Sequence, residues 1–196
     1  KKNKVPGGGT LTIDPEKVGA TACRSLGPEL AGASAWDRLS MDAILKEAGL
    51  DKKSRELTKA TVLARLISPA SEARTLKWIR KRSSVAEIIN TDLLEVKKDP
   101  IYEIADILLY HKEAIEKLLR EKEEAIFPDS STLFLYDLTN TYFEGQCKNN
   151  SIAKRGKSKE KRSDCPLICL ALLVDSRGYP VFSQIYEGNK SEPVTL

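Results

Sequence analysis

The run Thr132-Leu133-Phe134-Leu135-Tyr136-Asp137 decides how this chain is read. Five successive residues suit extended, half-buried backbone, and the sixth is a carboxylate. The run predicts a buried strand that ends at Asp137, where a rigid sheet edge would point the carboxylate into a site. A carboxylate leaving such a strand is costly to bury unless hydrogen bonds or a cation meet it. Hard divalent cations such as Mg²⁺ favour carboxylate oxygens and usually take more than one. Two readings stand side by side: Asp137 as a metal ligand, or as a strand-end residue capping a turn at Thr139.

Downstream, residues 166–174 form a second apolar strand, and Asp175-Ser176-Arg177-Gly178 supplies a turn. Tyr179 to Tyr186 completes a hairpin with β-rich content. Asp175 is explained by its place in that turn. Glu144, Asp164, Glu187 and Glu192 are the other acidic residues near the strands. Between the first two strands lies a basic insertion, residues 148–162, with seven Lys or Arg and one acidic residue, Glu160. Lys154, Arg155, Lys157, Lys159, Lys161 and Arg162 surround Gly156 with nothing apolar among them. Such a stretch can lie along phosphates and release their counterions, or it can simply be a solvated loop. It carries +6 of a total of +4, which leaves −2 on the rest of the chain and suggests a polyanionic partner. The insertion is expected to lie beside Asp137.

Upstream, from Trp36 to Phe127, apolar residues recur every three or four positions, the period of helices. Trp36, Leu39, Ile44 and Leu45 predict a short helix stopping at Gly49. A second is predicted over about 54–67 and ends at Ser68-Pro69, because proline cannot continue the backbone ladder. A third follows to about Arg82 and holds Arg74, Lys77, Arg80, Lys81 and Arg82 without an acidic residue between them. The turn between these two gives a helix–turn–helix outline, and phosphate contact is a better fit than base readout, with Trp78 and Ile79 packing inward. Asp99-Pro100 opens one long helix to Ile126, roughly 40 Å at 1.5 Å per residue. His111 falls in its apolar stripe and reads as a core or boundary residue. Residues 1–35, rich in Gly, Ala, Ser and Pro, read mostly as loop. Gly7-Gly8-Gly9 lacks the Lys-Ser/Thr ending of a phosphate-binding loop.

With 196 residues, 41% hydrophobic and 31% charged, the chain can bury a core, which excludes a disordered tail, a collagen-like repeat and a small disulfide scaffold. Its longest apolar run, Leu167 to Val174, is far below the roughly 18–20 residues that span a bilayer, so no membrane role is expected and a cytoplasmic location is. Cys23, Cys147, Cys165 and Cys169 lack zinc-knuckle spacing and read as reduced structural thiols. The start at Lys1 and the helix-like opening Ser191-Glu192-Pro193 at the other end lead to the expectation of a piece of a longer protein.

Several motifs occur in a fixed order. They are Leu135-Tyr136-Asp137-Leu138-Thr139, Tyr142-Phe143-Glu144-Gly145, Arg155-Gly156-Lys157-Ser158-Lys159-Glu160-Lys161-Arg162 and Asp164. Leu170 to Asp175 with Gly178 and Pro180 follows, then Glu187-Gly188-Asn189, Glu192 and Thr195-Leu196. Together they resemble bacterial insertion-sequence transposases of the DDE type. Arg65-Leu66-Ile67-Ser68-Pro69 and Asp99-Pro100-Ile101-Tyr102 resemble the helical part of that family more weakly. The family commonly has an aromatic residue before the Ser-Lys pair, where this chain has Lys157.

The resemblance implies an α+β chain: a helical region followed by the first three strands of a ribonuclease H-like α/β domain, truncated. Residues 1–35 would be a poorly ordered lead, 36–128 a helical DNA-binding region, and 129–196 the incomplete catalytic domain. It implies that Asp137 is the first catalytic carboxylate and a ligand of two Mg²⁺ ions acting at a phosphodiester. The second Asp and the Glu would lie beyond Leu196, so the chain alone is expected not to cut DNA. The implied partners are the transposon ends and, for the intact protein, further copies of itself. The rival expectation is a truncated, non-catalytic DNA-binding remnant or inhibitor; a less favoured third is a ribonuclease H-like nuclease outside transposition.

Overall fold

The computed structural model describes residues 14, 16, 19, 21–91, 98–127, 134–157 and 164–191. Among them are seven helices and one three-stranded antiparallel sheet, an α+β composition. The chain divides into two compact units, Lys1–His111 and Lys112–Leu196, a division earlier in the chain than the change of period at Phe127-Pro128.

The first unit is helical: α1 (Gly27–Arg38), α2 (Met41–Glu47), α3 (Lys52–Ile67), α4 (Glu72–Lys81), α5 (Val85–Ile89) and α6 (Lys98–Tyr110). Helix α1 departs from the mostly loop-like segment expected for residues 1–35 over positions 27–35. Pro28 suits a first helical turn, and Ala33 and Trp36 bury one side of the helix. A single helix through Trp36 and Leu45 is also corrected, because Ser40 adopts a left-handed conformation (φ +55°) between α1 and α2. After α2, Gly49 takes φ +101° and its N–H closes on the Lys46 carbonyl at 3.0 Å, a stop that glycine permits without strain. Asp51 caps α3 by accepting the Ser54 N–H at 2.8 Å. Leu57, Ala60 and Leu63 of α3 meet Ala33 of α1, Leu76 and Ile79 of α4, Val85 and Ala86 of α5, and Ile101 and Ile104 of α6 in one apolar core. His111 ends this unit half-buried, its ring edge-on to Tyr110.

The long helix expected from Asp99 to Ile126 is two, α6 and α7 (Lys112–Ile126), with a turn at His111. The apolar period runs through the break, so periodicity alone does not show it. In the second unit, α7 accompanies β1 (Phe134–Tyr142), β2 (Leu167–Asp175) and β3 (Pro180–Glu187), in the sheet order β1-β2-β3. The hairpin falls where Asp175 to Gly178 predicts it, with Gly178 at φ +86°. Asp175 is 1% exposed and accepts the N–H groups of Arg177 and Tyr179, both at 2.9 Å. Its other oxygen takes Arg177 Nε at 2.9 Å, and Arg177 also reaches Glu123 of α7 at 2.9 Å. Phe127 stacks on Tyr179 with centroids 5.4 Å apart, and the Arg177 guanidinium lies over the Phe127 ring. Further along α7, Glu116 accepts the Ser183 N–H and hydroxyl of β3. These polar and ring contacts tie α7 to the hairpin; no α7 residue is buried.

No helix among the described residues is long and apolar enough to cross a membrane. All four cysteines are free, and Cys165 and Cys169 are buried.

Candidate functional site

Alternation along a strand sends neighbouring side chains to opposite sheet faces. On β1, Tyr136, Leu138 and Asn140 are half-buried, whereas Leu135, Asp137, Thr139 and Thr141 are exposed. Asp137 is therefore placed differently from the expectation. It is the fourth residue of a nine-residue strand rather than its last, and it lies on the open face opposite Leu172. The strand continues because Leu138, Thr139, Thr141 and Tyr142 are good strand formers and find partners from Leu167 to Ala171. An exposed position removes the desolvation cost that a mid-strand carboxylate would otherwise carry. Thr139, two residues on and so on the same face, donates its hydroxyl to Asp137 Oδ2 at 3.2 Å. It does so from within the strand, not from a turn. Around this pair the open face is apolar: Leu135, Leu170 and Ile185 are all exposed, with Leu170 paired to Thr139 on one side and Ile185 on the other.

Among the described residues no three His, Cys, Asp or Glu side chains gather where they could hold a metal ion. Asp137 is therefore part of no such cluster among the described residues. Asp164 accepts a hydrogen bond from the Cys165 thiol at 3.3 Å, and Asp175 is committed to the hairpin. Glu192 lies outside the described residues.

The basic insertion is described up to Lys157; Lys159, Lys161 and Arg162 lie outside the described residues. Most residues of its described part are exposed, but its backbone is hydrogen-bonded to the sheet. Lys154 and Leu167 exchange two backbone hydrogen bonds, of 3.0 and 2.9 Å, and Gly188 N–H donates to the Ile152 carbonyl at 3.2 Å. Asn140 Nδ2 donates to the Lys157 carbonyl at 3.1 Å. The side chains of Lys154, Arg155 and Lys157 are exposed. Because Asn140 and Asp137 have opposite parity on β1, the arm is anchored to the covered face and Asp137 belongs to the open one. The structure does not bring the arm's anchor and the carboxylate together.

Cys169 occupies the covered face below the arm, and its thiol points at the carbonyls of Gly188 and Lys190, 3.7 and 3.6 Å away. Burial pushes this thiol up from its ordinary value.

In the first unit, α4 shows Arg74, Lys77 and Lys81 on its exposed side, with Arg82 just beyond its end. Thr75, Leu76 and Ile79 are buried on the other side, and Trp78 packs against the core, which is the inward placement expected of Trp78 and Ile79. Arg80 is half-buried, and its carbonyl accepts Arg24 Nη2 at 3.1 Å. The anchoring residues Asn140, Gly156 and Gly188 escape sequence reasoning about chemistry, because none carries charge; their signal is contact between segments distant in the chain. The chain matches no protein-family model, no curated protein and no solved structure.

Proposed function

We propose that this chain is the DNA-engaging part of a transposase of the DDE type, with α7 and the three strands belonging to a ribonuclease H-like domain. The observation that carries the reading is the cation array Lys154, Arg155 and Lys157, exposed on backbone that is bonded to a sheet. Exposed cations on a fixed backbone suit a polyanion with regularly spaced charge. Arg74, Lys77 and Lys81 on one side of α4 add a second cationic surface suited to phosphates rather than base edges. The order of β1, β2 and β3 and the motif order along the sequence support the catalytic-domain reading. In that reading Asp137 would be one ligand of the Mg²⁺ ions that the intact enzyme uses, with transposon ends as its DNA and self-association as its working state. The described residues gather no cluster of three such ligands, so no Mg²⁺ step is assigned to them.

The same observation favours a second reading, a DNA-binding polypeptide without nicking activity. Both readings predict salt-sensitive binding to duplex DNA. Fluorescence anisotropy on a short labelled duplex, across a salt series, tests this. Replacing Lys154, Arg155 and Lys157 together by Gln is expected to flatten the slope of log affinity against log salt by about 2–3, near 0.9 for each phosphate no longer neutralised. An unchanged slope refutes the DNA-engaging role of the arm. Mg²⁺-dependent nicking that disappears in Asp137→Ala refutes the non-nicking reading.

A further inference from the structure

Two glycines meet where the arm crosses the sheet. A methyl group placed on Gly156 would sit 2.4 Å from the Gly188 carbonyl oxygen and 3.1 Å from Asn189 Cα. One placed on Gly188 would sit 1.9 Å from the Leu167 carbonyl oxygen and 2.6 Å from that of Lys154. Every one of these obstacles is backbone, which cannot rotate aside as a side chain could. The two close approaches bracket the Lys154–Leu167 bridge, and Asn140 holds the far end of the same segment through Lys157. Backbone and amide hydrogen bonds thus converge on residues 152–157, the segment that exposes three cations.

We infer that Gly156, Gly188 and Asn140 are positioning residues for polyanion binding: they dock the arm so that Lys154, Arg155 and Lys157 are ordered before DNA arrives. This rests on the proposed DNA-engaging reading. The physical reason is entropic. Each backbone residue that must be ordered on binding subtracts from affinity, and a docked segment has met that cost during folding. The positioning residues touch no phosphate, so their effect differs in kind from that of the cations. Removing a cation removes a counterion-release event and lowers the salt slope. Undocking the arm keeps all the charges and lowers affinity at every salt concentration.

The test compares the full chain with Gly156→Ala and Asn140→Leu, the second being nearly isosteric, uncharged and without the amide donor. Amide hydrogen exchange at Lys154, Leu167 and Gly188 reports docking, and anisotropy on the labelled duplex reports binding. Both variants are expected to exchange these amides faster and to bind at least about tenfold more weakly, the cost of ordering a residue or more, with the salt slope unchanged. Asn140→Leu keeps the test decisive if Gly156→Ala does not fold. Faster exchange with unaltered affinity overturns the inference, as does unaltered exchange in both variants. A parallel loss of slope also overturns it, since that would make these positions equivalent to charge removal. If instead Lys154, Arg155 and Lys157 can all become Gln without weakening binding, the DNA-engaging reading itself has failed.

Discussion

Helix α1 can be tested through its approach to α3. Gly32 lies within α1, and a Cβ built on it would stand 2.6 Å from Leu63 Cδ2 of α3. Carbon atoms that touch prefer about 3.5–4.0 Å, so Gly32→Ala creates an overlap of roughly 1 Å. Leu63 is 1% exposed and surrounded by core residues, which blocks the rotation that would relieve it. Overpacking of this kind costs about 1–3 kcal/mol, while replacing glycine by alanine in a helix returns roughly 0.5–1 kcal/mol. The net expectation is about 1 kcal/mol of destabilisation. Leu63→Ala alone should cost about 2–5 kcal/mol through reduced burial and the cavity left behind. In that background the obstructing methyl is gone, so Gly32→Ala should stabilise by about 1 kcal/mol through propensity and partial filling. The substitution therefore changes sign between backgrounds, with a coupling of about 2 kcal/mol. Both tryptophans, Trp36 and Trp78, lie in the helical unit, so urea unfolding followed by tryptophan fluorescence reports that unit. Additive effects of the two substitutions would show that α1 does not pack on α3 at this point.

Two further outcomes concern the second unit. Burial works against the charge of Asp175, yet hydrogen bonds from the Tyr179 and Arg177 N–H groups and the Arg177 guanidinium outweigh it and hold its carboxyl below the ordinary value. A depressed folded-state value means stability that is complete above the unfolded carboxylate value, about 3.9, and that drains as pH falls through the folded value. Melting followed by circular dichroism should show this acid loss in the wild-type chain and a shallower one in Asp175→Asn; identical acid profiles would contradict the assignment. Asp137, exposed and hydrogen-bonded to the neighbouring Thr139 hydroxyl, should tolerate Asn with unchanged melting and unweakened DNA binding. A marked drop in melting temperature would mean that the carboxylate has a structural duty in the strand.

Local pattern accounts for what is legible in the sequence. The hairpin of β2 and β3 follows from a continuous apolar run, a turn tetrapeptide and a second β-rich run, all within a short stretch of chain. Helices α3 and α4 follow from their period and from Ser68-Pro69 between them. The elements that depart from expectation share a different cause: tertiary packing overrides local preference. Gly, Ala and Pro make α1 look like loop, but Gly32 is small because Leu63 lies against it, and Trp36 supplies the burial. Helix α5 is five residues long, too short for a period to register, and is held by buried Val85 and Ala86.

The carboxylate and the arm sharpen the same point. Asp137 marks a strand end only if the strand is buried on both faces, and β1 has one open face. The charge run from Lys154 to Lys157 looks unpackable when side chains alone are considered, because its anchors are main-chain atoms and a distant amide. Backbone docking leaves no hydrophobic signature; its only trace is a pair of glycines, Gly156 and Gly188, far apart in sequence, each needed because the other strand of chain passes too close for a Cβ. Charge shows which residues can meet phosphate, and the glycines decide whether those residues are held in place to do so.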